Sequence, residues 1–176
     1  YYLEQRFLEP CGIPGERAAV PRGDAEDLEQ ECRRYEAFCR KHPADLQILG
    51  MGHTGHIGFN EPEDHFPEES HVVSLAPETV AANAEYFGSR EQVPTKAVTV
   101  GIGTIMRAKK ILLLVSGRSK AEITYRFLCG KITPQVPATI LRLHPHVTAV
   151  IDEDALFAVR EREPEWLRLR ADIRKE

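Results

Sequence analysis

Long apolar runs, surplus positive charge and closely paired cysteines are all missing from this chain, and each absence removes a class of protein. The longest unbroken aliphatic run is Ile111-Leu112-Leu113-Leu114-Val115, far short of the roughly 20 residues that cross a bilayer as a helix. No membrane partner is therefore expected. Basic residues number 23 against 27 acidic ones, a formal net charge of −4. A general nucleic-acid binder carries a basic surplus, so no nucleic-acid partner is expected either. The four cysteines, Cys11, Cys32, Cys39 and Cys129, include no close metal-type pair. Cys32 and Cys39 fall on one helix face two turns apart, too far for a disulfide. All four are expected to be buried free thiols of a reducing compartment, which points to the cytoplasm. Methionine is also scarce, with Met51 and Met106 only. The chain opens Tyr1-Tyr2-Leu3, without an initiator, already in a helix-like pattern and with no secretory signal. N-terminal strands of the fold are expected to be missing ahead of it.

What is present reads as one α/β domain over residues 1–176. The chain is 42% hydrophobic and 28% charged, the globular range. Tyr1 to Glu9 reads as the end of a helix, stopped by Pro10 and Gly12. Three prolines and three glycines between 10 and 23 make a loop with room for one short strand. Asp24 is the expected N-cap of a helix running to Lys41, its inner face formed by Leu28, Cys32, Tyr35 and Cys39 and its other face charged. Strands are expected at Leu46–Leu49, Val72–Leu75, Ala97–Gly101, Ile111–Val115 and Val147–Ile151. Helices are expected at Pro77–Phe87, Thr104–Lys109 and Ser119–Cys129, while 137–143 is ambiguous between helix and strand. The unbroken run Ile111–Val115 suits a central parallel strand covered on both faces, and Val147–Ile151 reads as another buried strand. A charged terminal helix is expected over 161–176, with Trp166, Leu169 and Ile173 as a thin apolar stripe. Helices alternating with strands predict a Rossmann-like, mostly parallel sheet flanked by helices.

The densest chemistry lies in Gly50-Met51-Gly52-His53-Thr54-Gly55-His56-Ile57-Gly58-Phe59-Asn60-Glu61-Pro62, just after a predicted strand. In open parallel sheets ligands bind beyond the carboxyl ends of strands. Gly50, Gly52 and Gly55 allow backbone N–H groups to approach a ligand closely. His56 can donate and accept protons near neutral pH, and Asn60 and Glu61 lie near enough to orient its ring. Spacing alone gives equal weight to a plain glycine-rich turn whose histidine caps backbone groups. The pair His53/His56 sits in a loop rather than on one helix face, so no metal is expected. His144-Pro145-His146 reads as a turn. Asp152-Glu153-Asp154 reads as a solvated helix start.

Gly55 to Pro62 resembles the signature Gly-His-Ile-(Gly/Ala)-Phe-Asn-Glu-Pro of the glucosamine-6-phosphate deaminase/isomerase family. The likeness continues through Ala81-Ala82-Asn83-Ala84, Tyr86-Phe87, Val93-Pro94, Ala97 to Thr104, Ile111 to Lys120 and Leu143-His144-Pro145. It covers nearly the whole chain to Asp154. The resemblance implies isomerising deamination of an amino-sugar 6-phosphate, glucosamine 6-phosphate to fructose 6-phosphate plus ammonia. It implies no metal or organic cofactor, and an oligomer of identical chains. On the matching positions, His56 is the ring-opening acid/base, Glu61 the carboxylate that supports it, and Lys120 a phosphate contact. Thr54 belongs to the same catalytic group, and Gly50, Gly52, Gly55 and Asn60 to the substrate-binding set. A lysine in the first turn of a helix after a parallel strand is also physically suited to an anion.

Three departures accompany the match. The family's catalytic base and its phosphate-cradling loop are expected ahead of Tyr1, so this chain alone is expected to be inactive. Thr54 stands where many members carry an aspartate, and it brings a hydroxyl without charge. Glu85 stands where glucosamine-type members carry a phosphate-gripping arginine, with Arg118 a candidate replacement. Galactosamine 6-phosphate as the substrate, a 6-phosphogluconolactonase-like hydrolase and a non-catalytic sugar-phosphate-binding paralogue are the alternatives.

Overall fold

The computed structural model describes residues 2–75 and 77–170. Its sheet is built from three parallel strands: β1 (Gln47–Gly50), β4 (Ile111–Val115) and β5 (Val147–Ile151), with β4 in the middle. Register pairs Gly50 with Leu114, and Leu114 with Val150, so the carboxyl ends of all three strands reach the same edge. A separate antiparallel ribbon, β2 (His71–Ser74) with β3 (Lys96–Thr99), carries α2 (Pro77–Phe87) between its strands. The other helices are α1 (Leu28–Lys41), α3 (Ile102–Met106), α4 (Ala121–Cys129), α5 (Phe157–Arg162) and α6 (Pro164–Arg170). The mostly parallel, helix-flanked architecture follows the sequence reading. The ambiguous segment is a 3-10 helix, Pro137–Leu143.

Alternation along β4 sets the core. Ile111, Leu113 and Val115 are buried and pack with Leu49, Ile57, Ile105, Ile123, Phe127, Val136 and Leu141 in one cluster. The opposite face corrects the expectation of a sheet covered on both sides. Ile48, Leu114 and Val150 are 57%, 46% and 55% exposed, and no described residue covers them. Nor is Val147–Ile151 a buried strand, since its three central residues are exposed. Aliphatic composition reports what a strand can bury, whereas the elements packed on it decide what it does bury.

Smaller corrections have local causes. No strand forms between residues 10 and 23, where a 3-10 turn, Gly15–Arg17, stands instead. The cap of α1 is Asp27, not Asp24, because its carboxylate accepts the Gln30 N–H at 2.9 Å. The terminal helix is broken at Glu163, ahead of Pro164. Leu167 is its buried residue, Leu169 is 75% exposed, and Ile173 lies outside the described residues. The four thiols are free, but only Cys32 is buried and Cys11 is exposed.

The charged side of α1 is not all solvated. Glu36, 5% exposed, accepts hydrogen bonds from the Ser70 N–H (3.0 Å) and hydroxyl (2.9 Å) and the Thr104 hydroxyl (2.7 Å). It also accepts from the Arg107 guanidinium and pairs with Arg40 at 3.1 Å. One carboxylate thereby joins α1, the approach to β2, and α3. Burial raises its pKa, but the Thr104 and Ser70 donors and Arg107 outweigh that and hold it at about 2. A folded-state pKa below the unfolded one gives stability that is present above the unfolded pKa and lost as pH falls. The shift corresponds to roughly 3 kcal/mol. Glu36→Gln is therefore expected to lower the urea-unfolding free energy at pH 7, and the gap to the parent protein is expected to close between about pH 4.5 and 2. A gap unchanged across that range would contradict this role for Glu36.

Candidate active site

The site lies where β1 and β4 end. After Gly50 the chain turns sharply, with the Gly52 N–H donating to the His56 carbonyl at 2.9 Å and the Gly55 N–H to the Gly52 carbonyl at 3.1 Å. This turn needs glycine at two positions. Gly55 has φ +84°, and a Cβ there would stand 2.6 Å from Val136 Cγ1. A Cβ on Gly52 would stand 2.1 Å from His56 Nε2, so the imidazole lies directly over the bare backbone of Gly52. Gly50, the last residue of β1, is exposed with open space beside it.

The side chains of His56, Glu61 and Thr54 converge. His56 Nδ1 is 3.1 Å from Glu61 Oε2, and the Thr54 hydroxyl donates to the same oxygen at 2.8 Å. Thr54 Oγ1 is also 3.0 Å from His56 Nδ1. Both side chains are largely buried, 17% exposed for His56 and 7% for Glu61. A carboxylate oxygen can only accept, so it draws the ring proton to Nδ1 and leaves Nε2 as the proton-exchanging atom. Thr54 adds no charge. Its hydroxyl donates to Glu61 and fixes the carboxylate opposite the ring.

Asn60 has a different place. It is 1% exposed, and its amide donates to the Ile57 carbonyl (2.9 Å) and the Val100 carbonyl (2.8 Å). Beside it the Phe59 N–H donates to Thr99 Oγ1 at 3.1 Å. These bonds lash the loop to the end of β3, and the amide does not reach solvent.

Across from the loop, β4 runs into a 3-10 turn, Arg118–Lys120, and then α4. Lys120 is partly buried, and burial lowers its pKa. His53 Nε2 lies 3.3 Å from Ser119 Oγ, which joins the two loops. Arg118 is committed elsewhere, its guanidinium 3.1 Å above the Phe157 ring. The Glu85 side chain is outside the described residues. Among the described residues no group of three or more His, Cys, Asp or Glu could hold a metal ion.

Asp152, expected as a solvated helix start, has a structural task. It accepts from the Gly117 N–H at 2.9 Å, from the Ser116 hydroxyl and from the Ala155 N–H at 2.8 Å. The Ser116 and Ala155 donors hold its carboxyl below the usual range. It thus fixes the turn that carries Lys120. Its position one residue past β5, on the edge shared with Gly50 and Ser116, was the available signal.

Residues 2–150 match the family described as glucosamine-6-phosphate isomerases/6-phosphogluconolactonase. The chain belongs to this family. It is 49% identical over 156 residues to glucosamine-6-phosphate deaminase of Thermoanaerobacter pseudethanolicus, covering 88% of this chain and 62% of that protein. Against the same-named protein of Lachnoclostridium phytofermentans it is 47% identical over 151 residues, 85% of this chain and 64% of that one. The chain therefore spans little over three-fifths of these relatives' length. A solved structure described as a monomeric glucosamine-6-phosphate deaminase superposes with TM-score 0.86 at 47% identity, covering 89% of this chain and 66% of that one. The 6-phosphogluconolactonase of Thermotoga maritima, TM-score 0.61 at 20% identity, covers 84% and 61% and shares the fold.

The contact at Gly52 yields a direct test. Gly52→Ala should displace the His56 ring without unfolding the chain, because the clash is with a movable side chain. The His56 side-chain NMR signals should shift strongly while the melting temperature falls by only a few degrees. Unshifted His56 signals would contradict the packing described.

Proposed function

We propose that this chain carries the ring-opening centre for the isomerising deamination of glucosamine 6-phosphate. The observation that supports this best is the hydrogen-bonded triangle of His56, Glu61 and Thr54 at the end of a parallel strand. In the proposed step, His56 Nε2 takes the proton of the anomeric hydroxyl and delivers it to the ring oxygen, opening the sugar. Glu61 stabilises the imidazolium formed in between. A proton then moves from C2 to C1 on a carboxylate base outside the groups described above. Water adds at C2 as ammonia leaves, giving fructose 6-phosphate. Lys120 is proposed to contact the phosphate, and Gly50, Gly52 and Gly55 to give the substrate access to the loop backbone.

Glucosamine rather than galactosamine is favoured by the names of relatives sharing 47–49% identity. Likeness to lactonases at 20% identity or less speaks to the fold alone. Self-association has one support, the exposed apolar residues Ile48, Leu114 and Val150. Against it stands the relative described as monomeric. Four free thiols fit a cytoplasmic setting.

Ammonia release from glucosamine 6-phosphate by the complete gene product tests the proposal. Release is expected, and His56→Gln is expected to slow it by roughly 100- to 10,000-fold. Glu61→Gln should slow it by about 10- to 100-fold, as for loss of an orienting partner. A folded protein that releases no ammonia from this sugar would sink the deaminase reading.

A further inference from the structure

We propose that His53 is a phosphate-binding residue, which joins Lys120 and the Ser119 hydroxyl around the phosphate of the bound sugar and takes up a proton as that phosphate arrives. This rests on the reading of the site as one for a sugar phosphate, and adds a group that lies outside the signature segment Gly55 to Pro62.

Geometry brings the three groups together. His53 stands in the loop after β1, Ser119 and Lys120 in the turn after β4, and the 3.3 Å contact between His53 Nε2 and Ser119 Oγ closes the gap. Lys120 is partly buried with no carboxylate partner among the described residues, and burial is the sole influence that lowers its pKa. A cation withdrawn from water without a counter-ion is costly, and an arriving anion relieves that cost. His53 is the more exposed of the two, its ring only partly withdrawn from water. Burial, then the charge of Lys120, then His56 lower its pKa, and the nearby carboxylate of Glu61 is bonded to His56 and Thr54. Arg118, the remaining cation of the turn, is occupied by Phe157. His53 is therefore biased toward its neutral form, beside a lysine with no carboxylate partner among the described residues. A phosphate dianion placed against Lys120 reverses the sign of the local field. It favours imidazolium at His53, which can then donate Nε2–H to a phosphate oxygen.

The sign gives a pH window. The phosphate loses its second proton near about pH 6. Above that, binding draws a proton onto His53, so affinity falls as pH rises through the pKa of His53 in the complex. A purely structural His53 would show no such dependence.

Fructose 6-phosphate is the probe, because without ammonia it cannot be carried back to the amino sugar. Its Kd is measured at pH 6.8 and 8.5 for the complete gene product and for His53→Gln, with unphosphorylated fructose as control. His53 itself is followed by NMR in the unsubstituted protein, which needs no variant to fold. His53→Gln should weaken fructose 6-phosphate by roughly tenfold at pH 6.8, with a clearly smaller effect at pH 8.5 and none on fructose. In the unsubstituted protein the His53 titration should move upward on saturation with fructose 6-phosphate. Equal affinities for the two proteins at both pH values, or a His53 titration unmoved by the bound sugar phosphate, would overturn the proposal. His53-dependent binding without ammonia release from glucosamine 6-phosphate would remove the deaminase reading and leave the phosphate contact standing. Absence of fructose 6-phosphate binding would withdraw both.

Discussion

Parallel pairing of β1, β4 and β5 is the constraint on which the site depends. Parallel strands deliver all their carboxyl ends to one edge, and the register here brings Gly50, Leu114 and Val150 level there. The loop bearing Thr54, His56 and Glu61 leaves that edge from β1. The turn bearing Ser119 and Lys120 leaves it from β4, and Asp152 follows β5. Residues about 65 positions apart in sequence meet because β4 sits between the other two strands. Leu113, fully buried at the centre of β4, holds that arrangement together from beneath.

Above this edge the chemistry is set by hydrogen-bond direction. Glu61 can only accept, so its neighbours must donate, and Thr54 Oγ1 and His56 Nδ1 are among its donors. That requirement fixes which ring nitrogen is left for proton exchange. The loop keeps its shape through bonds outside the triangle. Asn60 reaches Ile57 and Val100, Phe59 reaches Thr99, and the Ala138 N–H donates to the Gly55 carbonyl at 2.9 Å. A histidine supported in this way is suited to exchange protons without first reorganising its surroundings, which is where pre-organised sites gain rate.

The parts legible in the sequence are those set by local pattern. The aliphatic run Ile111–Val115 announces β4. The contiguous segment Gly50–Pro62 announces the loop, because its glycines, histidine and glutamate act on one another at short range. What escaped sequence reading depends on partners far away in the chain. Glu36 reads as a solvated helix residue until Ser70, Thr104 and Arg107 surround it. Asp152 reads as a helix start until the Ser116–Gly117 turn arrives from β4. Asn60 reads as a ligand group by its place in the motif, which does not foretell the bonds of its NH2 to the Ile57 and Val100 carbonyls. Ile48, Leu114 and Val150 read as core residues by type, yet lie on the face that no described residue covers.

Glu61 dictates which nitrogen of His56 carries the proton. Side-chain ¹⁵N NMR of His56 in its neutral form measures this directly. The Nδ1–H tautomer is expected in the parent protein and a mixture of tautomers in Glu61→Ala. A neutral His56 protonated on Nε2 in the parent protein, or a tautomer indifferent to the loss of Glu61, would contradict it.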